Sequence, residues 1–492
     1  MDLRAAGGHV RSRVGPAVRR RVGVDARSLA AFRVAVGALL VADLALRSRD
    51  LVAHYTDAGV LPRAALEANY PGYYPYSLHV LSGAAWFEAT LFVVAGAFAL
   101  AMLVGYRTRV ATAASWLLLV SLQHRNPVVL NGGDTLLRMV LLWGVFLPLG
   151  ARWSVDARRR GDGPARVATV ASAALLLQVV LMYGSNALAK LRGDMWLSGE
   201  AIRYVFSLNQ FTVLLGEVLK HYPLVLHAFD LLWIAMLALS PLLMVLTGWK
   251  RGAFAGLFAA MHLGMATTMM LGLFPVVAVA ALVPFVPGVA WDALARRADR
   301  AVAAGRRALD RLDRALPSLP RPTPPPLAGH LQTVVVVALL LLVLSVNADA
   351  RGYADRPAET DAVVDAAFLH QWWLMFAPEP VLVDGWYVAP GHLEDGRTID
   401  AWSRSNLTWD RPPDLAATYP NARWRKYAVN LWRPGFAAQR EHFAAYLCRR
   451  WNRAHRTDLE SVTLVYMEQR SRLHGPEPVE RDQLLVHRCE TG

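Results

Sequence analysis

The chain has 492 residues, 55% of them hydrophobic and only 18% charged, with a formal net charge of +14. Soluble domains run at roughly 45–50% apolar and about 25% charged, and here the apolar excess is gathered in long runs between residues 30 and 347. That excludes a disordered chain, a collagen or coiled-coil rod and a purely cytosolic enzyme. Of the 52 basic residues 48 are arginine; they cluster between apolar segments, so membrane topology accounts for them and nucleic acid does not.

A bilayer core takes about 20 mostly apolar residues per helix. Residues 1–28 are a basic N-terminus, and the apolar run 29–47 ends at Arg47-Ser48-Arg49 instead of a small-residue cleavage site, so an uncleaved first helix is expected. Further spans are expected at 80–104, 110–123, 134–150, 167–189, 225–248, 253–272 and 274–291, the last two joined tightly at Phe274-Pro275. Residues 292–328 follow as a basic amphipathic helix with a Pro-rich hinge, Pro317 to Pro326, an inside linker held near anionic membrane lipids. A ninth span is expected at 329–347. With the N-terminus inside, the inside segments carry 24 basic residues against about 8 outside, and the inverted topology loses. The expected fold class is therefore an all-α polytopic membrane protein of about nine transmembrane helices. It sits in the cell membrane with a cytoplasmic N-terminus and an extracytoplasmic α+β domain over 348–492.

In that tail, Trp386-Tyr387-Val388, then Leu393 to Gly396, then Thr398 to Trp402 read as a hairpin around the Asp395-Gly396 turn. Residues 437–455 have helical spacing, with Phe443, Leu447 and Trp451 on one side, and Ser461 to Gln469 alternates like a strand. The two cysteines, Cys448 and Cys489, are both in the tail. In an oxidising compartment they are expected to form a disulfide, with two buried thiols as the alternative.

Ionisable side chains inside spans are costly and so are functional candidates: Asp43, Glu88, Asp134, Arg138, Asp230, His262 and Lys190. Each also has a plainer reading. Asp134, after Asn131-Gly132-Gly133, can cap its helix and pair with Arg138 four residues on. Asp43 and Glu88 can be partners in helix packing. His262 has no second histidine at ligand spacing, so no metal site is expected. Lys190 is singled out by usage: lysine occurs only at 190, 220, 250 and 426. A position needing only positive charge would be filled by arginine in this chain, whereas a base must lose its proton, which lysine can do and arginine cannot. Tyr183, Asn186 and Lys190 form a narrow polar stripe at i, i+3 and i+7. An interfacial lysine anchoring the helix end is the alternative.

The chain also resembles a known family. The segments that carry the likeness are Tyr55 to Pro62, Gly105 to Arg109, Asn131 through Asp134 to Trp153-Ser154-Val155-Asp156, Tyr183 through Lys190 to Asp194 and Trp196, His262 with Phe274-Pro275, and Trp373 to Pro378 with Asp384 to Tyr387. They are similar to the HTTM-domain proteins, that is, the vitamin K-dependent gamma-glutamyl carboxylase and its microbial relatives. The resemblance implies a carboxylase-like or epoxidase-like membrane enzyme acting on a reduced vitamin K-type naphthoquinone, menaquinol or similar. Lys190 is then the catalytic base, and Tyr183, Asn186, Asn131, Asp134 and His262 are the quinone-site candidates. Oxygen and carbon dioxide are implied co-substrates, an extracytoplasmic peptide or protein the implied acceptor, and no metal is implied. Where the carboxylase has an Asn-His pair, this chain has Asn131-Gly132-Gly133-Asp134; losing the histidine bears on carboxylation more than on quinol binding. The rival expectation is a non-enzymatic HTTM membrane protein that binds a lipid-like ligand or a protein partner.

Overall fold

A computed structural model describes residues 15–161, 163–297, 299–318 and 327–490. The first half of the basic N-terminus and the Pro-rich stretch 319–326 lie outside the described residues.

Helices dominate up to residue 349. Besides several helices of seven residues or fewer, they are α1 (Ala26–Ser48), α2 (Ala85–Val104), α3 (Thr108–Arg125), α4 (Gly132–Val145), α5 (Val170–Lys190), α6 (Pro223–Ala238), α7 (Gly248–Thr268), α8 (Phe274–Leu282), α9 (Gly288–Arg297), α10 (Asp299–Ala315) and α11 (Ala328–Asp349). Among the described residues, four are long and apolar enough to cross a membrane: α1, α2, α5 and α11. A bent pair, Phe274–Phe285 with Gly288–Arg297, makes a fifth if it counts as one span. The nine expected spans are thus not all full-length helices, and proline is the physical reason. Proline removes a backbone donor and clashes with the preceding turn. α3 stops before Pro127, α4 before Pro148 and α6 before Pro241, while the expected span 274–291 turns through 104° around Pro287. α4 and α5 begin with capping boxes, Asn131 with Asp134 and Thr169 with Ser172.

The basic helix expected after residue 292 is present as α9 and α10. It docks on the bundle: Arg158 pairs with Asp310, and Arg159 donates to the Leu316 carbonyl at 2.8 Å.

The C-terminal region contains a six-stranded antiparallel sheet: β1 (Val383–Val388), β2 (Pro390–Leu393), β3 (Thr398–Asp400), β4 (Ser405–Asn406), β5 (Leu459–Arg470) and β6 (Val479–Arg488). The long β5 is central. β1 and β2 share one of its edges end to end, Tyr387 opposite Tyr466 and Gly391 opposite Val462, and β6 takes the other. The hairpin expected at Asp395-Gly396 joins β2 and β3. Two helices cover the sheet, α12 (Ala422–Trp432) and α13 (Ala437–Asn452), and bury Trp424, Tyr427, Phe443, Leu447 and Trp451 against Tyr387 and Tyr466. Cys448 of α13 is disulfide-bonded to Cys489, at the end of β6.

This region is not a detached module. Val60, Leu61, Val128 and Val129 from the helical part share its core. The stretch leading into β1 runs inside the bundle, where Leu369 and Trp373 are fully buried.

Candidate functional site

One face of α5 holds that inserted stretch. Gln178 Nε2 donates to Gln371 Oε1 at 2.8 Å, Asn186 Nδ2 to the Trp373 carbonyl at 2.8 Å and to Met375 at 3.2 Å, and Lys190 Nζ to the Phe376 carbonyl at 3.0 Å. Positions 178, 186 and 190 recur at helical spacing, so a single stripe grips an extended segment along its length. Phe376 sits in the left-handed region, at φ +52°, and its carbonyl also accepts from Trp196 Nε1 at 2.9 Å. The ammonium of Lys190 lies over the Trp196 ring, 3.1 Å from its centroid.

Beside this grip is a cavity of about 490 Å³, within the size range of small-molecule sites. Its walls are apolar and come from helices far apart in sequence: Phe229 and Trp233 of α6, Met261 and Met265 of α7, Phe274 of α8, and Met375 and Phe376 of the inserted stretch. Leu215, Phe229 and Leu257 are also on the outer surface, giving the cavity an apolar rim. The polar groups on its lining are few: Lys190, Asn186, Asn131 and Arg425 among them. Lys190 is 2% exposed, so it points into the protein and does not snorkel outward. No carboxylate makes an ion pair with it among the described residues; Asp230 and Glu379 act on it from longer range.

The residues singled out from sequence thus fall into three places. Lys190, Asn186 and Asn131 are together on the cavity. Tyr183 and His262 are one layer behind its wall, bonded to each other (Oη to Nε2, 2.9 Å); Tyr183 stacks on Phe258 and His262 packs edge-on to Phe274. Asp134 is elsewhere, and its partner is not Arg138. It belongs to a buried four-charge cluster in which Arg47 bonds Asp43 at 2.7 Å and Asp134 at 2.6 Å, while Arg423 of α12 bonds Asp43 at 2.6 Å and Asp134 at 2.9 Å. Arg138 instead donates to Gln123 and to the His370 carbonyl. Two carboxylates and two guanidiniums balance, which is how buried charge is tolerated. Burial works against Arg423, but Asp134 and Asp43 outweigh it and hold its guanidinium well above the ordinary range. Glu88, another intramembrane candidate, pairs with His79. No group of histidine, cysteine and carboxylate side chains that could hold a metal occurs among the described residues.

The two glycines after Asn131 have a steric reason. A Cβ at Gly132 would lie 2.9 Å from Met375 Sδ, and one at Gly133 would lie 2.8 Å from Phe274 Cα. The space that a larger pair would need is filled by two cavity-wall residues.

Trp196 and Phe376 lie in segments that carried the family likeness but were given no role in the site, and Arg425 was not singled out. Trp196 had the nearest signal, six residues past Lys190 in sequence; Arg425 had none, because its neighbours Phe211 and Met270 are more than 150 residues away.

A family model described as the HTTM domain matches residues 22–291, more than half of the chain. No curated protein and no solved structure matches it. That match covers α1 to α8 and with them Lys190, Asn186 and Asn131, and on this ground the chain belongs to the HTTM family, whose domain is that of the vitamin K-dependent carboxylases.

Proposed function

We propose that the cavity binds a reduced naphthoquinone of the menaquinol type, that Lys190 is the base acting on it, and that the protein is a vitamin K-dependent carboxylase-like or epoxidase-like membrane enzyme. The observation that carries this reading is the setting of Lys190: a buried amine at the edge of an apolar cavity, held by a carbonyl and a ring face and not locked in an ion pair. A lysine so placed can give up and take back a proton.

The lining fits such a molecule. A flat ring has Trp196, Phe206, Phe274 and Phe376 to pack against, and an isoprenoid chain can leave over the rim at Leu215 and Leu257. When bound, a reduced naphthoquinone supplies the electrons for reaction with oxygen. The chain's own residues then have separable tasks. Lys190 Nζ accepts the hydroxyl proton. The Asn131 side-chain amide, whose Oδ1 is committed to capping α4 and whose Nδ2 has no partner among the described residues, can donate to a ligand oxygen. Asn186 fixes the stretch 373–376, which covers Lys190 and keeps water off it. The Tyr183–His262 pair stiffens the wall from behind.

Carbon dioxide as co-substrate, and a peptide or protein acceptor outside the cytoplasm, belong to the same reading. The imbalance of basic residues supports a cytoplasmic N-terminus and an extracytoplasmic tail in the cell membrane. The test is the small molecule that co-purifies with the protein in detergent. A bound naphthoquinone, lost on filling the cavity by Met261→Trp, is the expected result; phospholipid alone favours a non-enzymatic lipid-binding protein.

A further inference from the structure

Arg425 stands two residues beyond Arg423 on α12 and so leaves the helix toward a different neighbour. Arg423 meets two carboxylates; Arg425 meets none. Among the described residues its Nη2 donates to the Met270 carbonyl at 3.3 Å, its Nε is buried without an acceptor, and no ion pair reaches it. The side chain is 8% exposed, lines the cavity, and lies over the Phe211 ring at 3.8 Å.

Burying a guanidinium without a counter-ion is costly, and a ring face offsets only part of that cost. Burial pulls Arg425 down to about 10, so it is still a cation at neutral pH. The two basic side chains of the cavity therefore differ. Lys190 has Asp230 and Glu379 in electrostatic range, whereas among the described residues Arg425 has the Tyr419 hydroxyl and the Lys426 amine but no carboxylate. They share one wall: the Phe376 carbonyl takes Lys190, the Phe376 ring packs edge-on to Phe211 at 5.3 Å, and Phe211 carries Arg425 on its face.

We propose that Arg425 is the anion-binding residue of this cavity, receiving one oxyanion, a carboxylate or a phosphate monoester, carried on an apolar stem. A guanidinium fork with open donors matches either group, and the apolar walls take the stem. In the reading above the hydroquinone enters neutral and becomes an oxyanion only as Lys190 takes its proton, so a resident anion at Arg425 belongs to the acceptor. The assignment itself does not require Lys190 to act as a base.

Calorimetric titration of the full chain in non-ionic detergent tests this with hexanoate, hexyl phosphate and hexanol. The wild type is expected to bind at least one of the two anions tenfold or more tightly than the alcohol, and which anion is tighter assigns the head group. Arg425→Gln should bring that anion down to the level of hexanol, and Arg425→Lys should keep part of the preference. Hexanol binding as tightly as both anions in the wild type overturns the proposal without any variant. So does an unchanged anion preference in Arg425→Gln. Because binding is read and not turnover, failure here is distinct from failure of the quinol reading.

Discussion

Arg423 joins the tail to the bundle, and Arg423→Met measures how much that join is worth. Methionine replaces the stem of the arginine but not its charge, leaving Asp43 and Asp134 to share Arg47 alone. The side chains of both carboxylates are only 4% exposed and that of Arg47 is fully buried, so water cannot take over the lost bonds. Removing one member of a buried charge group costs about 3–5 kcal/mol. At roughly 1.4 kcal/mol per tenfold, the undocked tail becomes some hundredfold to a few thousandfold more populated. Hydrogen exchange of the α12 amides in detergent reads this directly. Asn421 and Trp424 still hold Asp50, at 2.7 and 2.9 Å, so the loss should concentrate in α12 and not unfold the tail outright. Adding Asp43→Asn removes the surplus carboxylate and leaves Arg47 paired one to one with Asp134. The double variant should therefore be more stable than the single one, by on the order of 1–2 kcal/mol. A single variant that loses less than about 1 kcal/mol, or a second substitution that simply adds a further loss, would refute the charge-balance argument.

Three further outcomes follow from the structure. Burial, then the Arg423 and Arg47 charges, push the His54 imidazole from 6.5 down to about 3, and neither ring nitrogen has a partner; the unfolded chain therefore gains a proton first, stability is full above pH 6.5 and falls as pH drops toward 3, and His54→Phe should flatten that part of a pH-dependent melting series. The disulfide closes a sequence separation of 41 residues, worth about 4 kcal/mol on the chain-entropy estimate. Cys448→Ser with Cys489→Ser should lower the tail's protection against exchange accordingly, and an unchanged tail would count against that estimate. A reporter active only outside the cytoplasm should work when fused after residue 492 and be silent within 300–316; the opposite pattern reverses the topology.

What the sequence made legible was local. The long apolar helices, the Asp395-Gly396 hairpin, the alternation in β5 and the helical spacing of α13 all depend on neighbours a few residues apart, and each is where it was expected. Lys190 stood out by composition, and it is on the cavity. Asp134 shows the opposite case. Its i+4 neighbour Arg138 was the natural partner from spacing, but Arg423, 289 residues away, takes the carboxylate. The tail segment that closes the site is likewise held by α5 across 186 to 193 residues. No periodicity carries such pairings. The short and bent helices were misjudged for another reason: hydropathy counts apolar residues, whereas proline decides where the backbone can continue as a helix.

The central claim is that Lys190 exchanges a proton with a bound quinol, and Lys190→Arg addresses it most directly. Arginine resembles the protonated lysine and can still meet the Phe376 carbonyl and the Trp196 ring, but it cannot accept the proton. The measurement is oxygen-dependent conversion of reduced naphthoquinone in membranes containing equal amounts of wild type and variant. The account predicts turnover in the wild type and none in Lys190→Arg, with the bound quinol retained in both. Wild-type turnover in the variant, or no turnover in a wild type that holds the quinol, would contradict it.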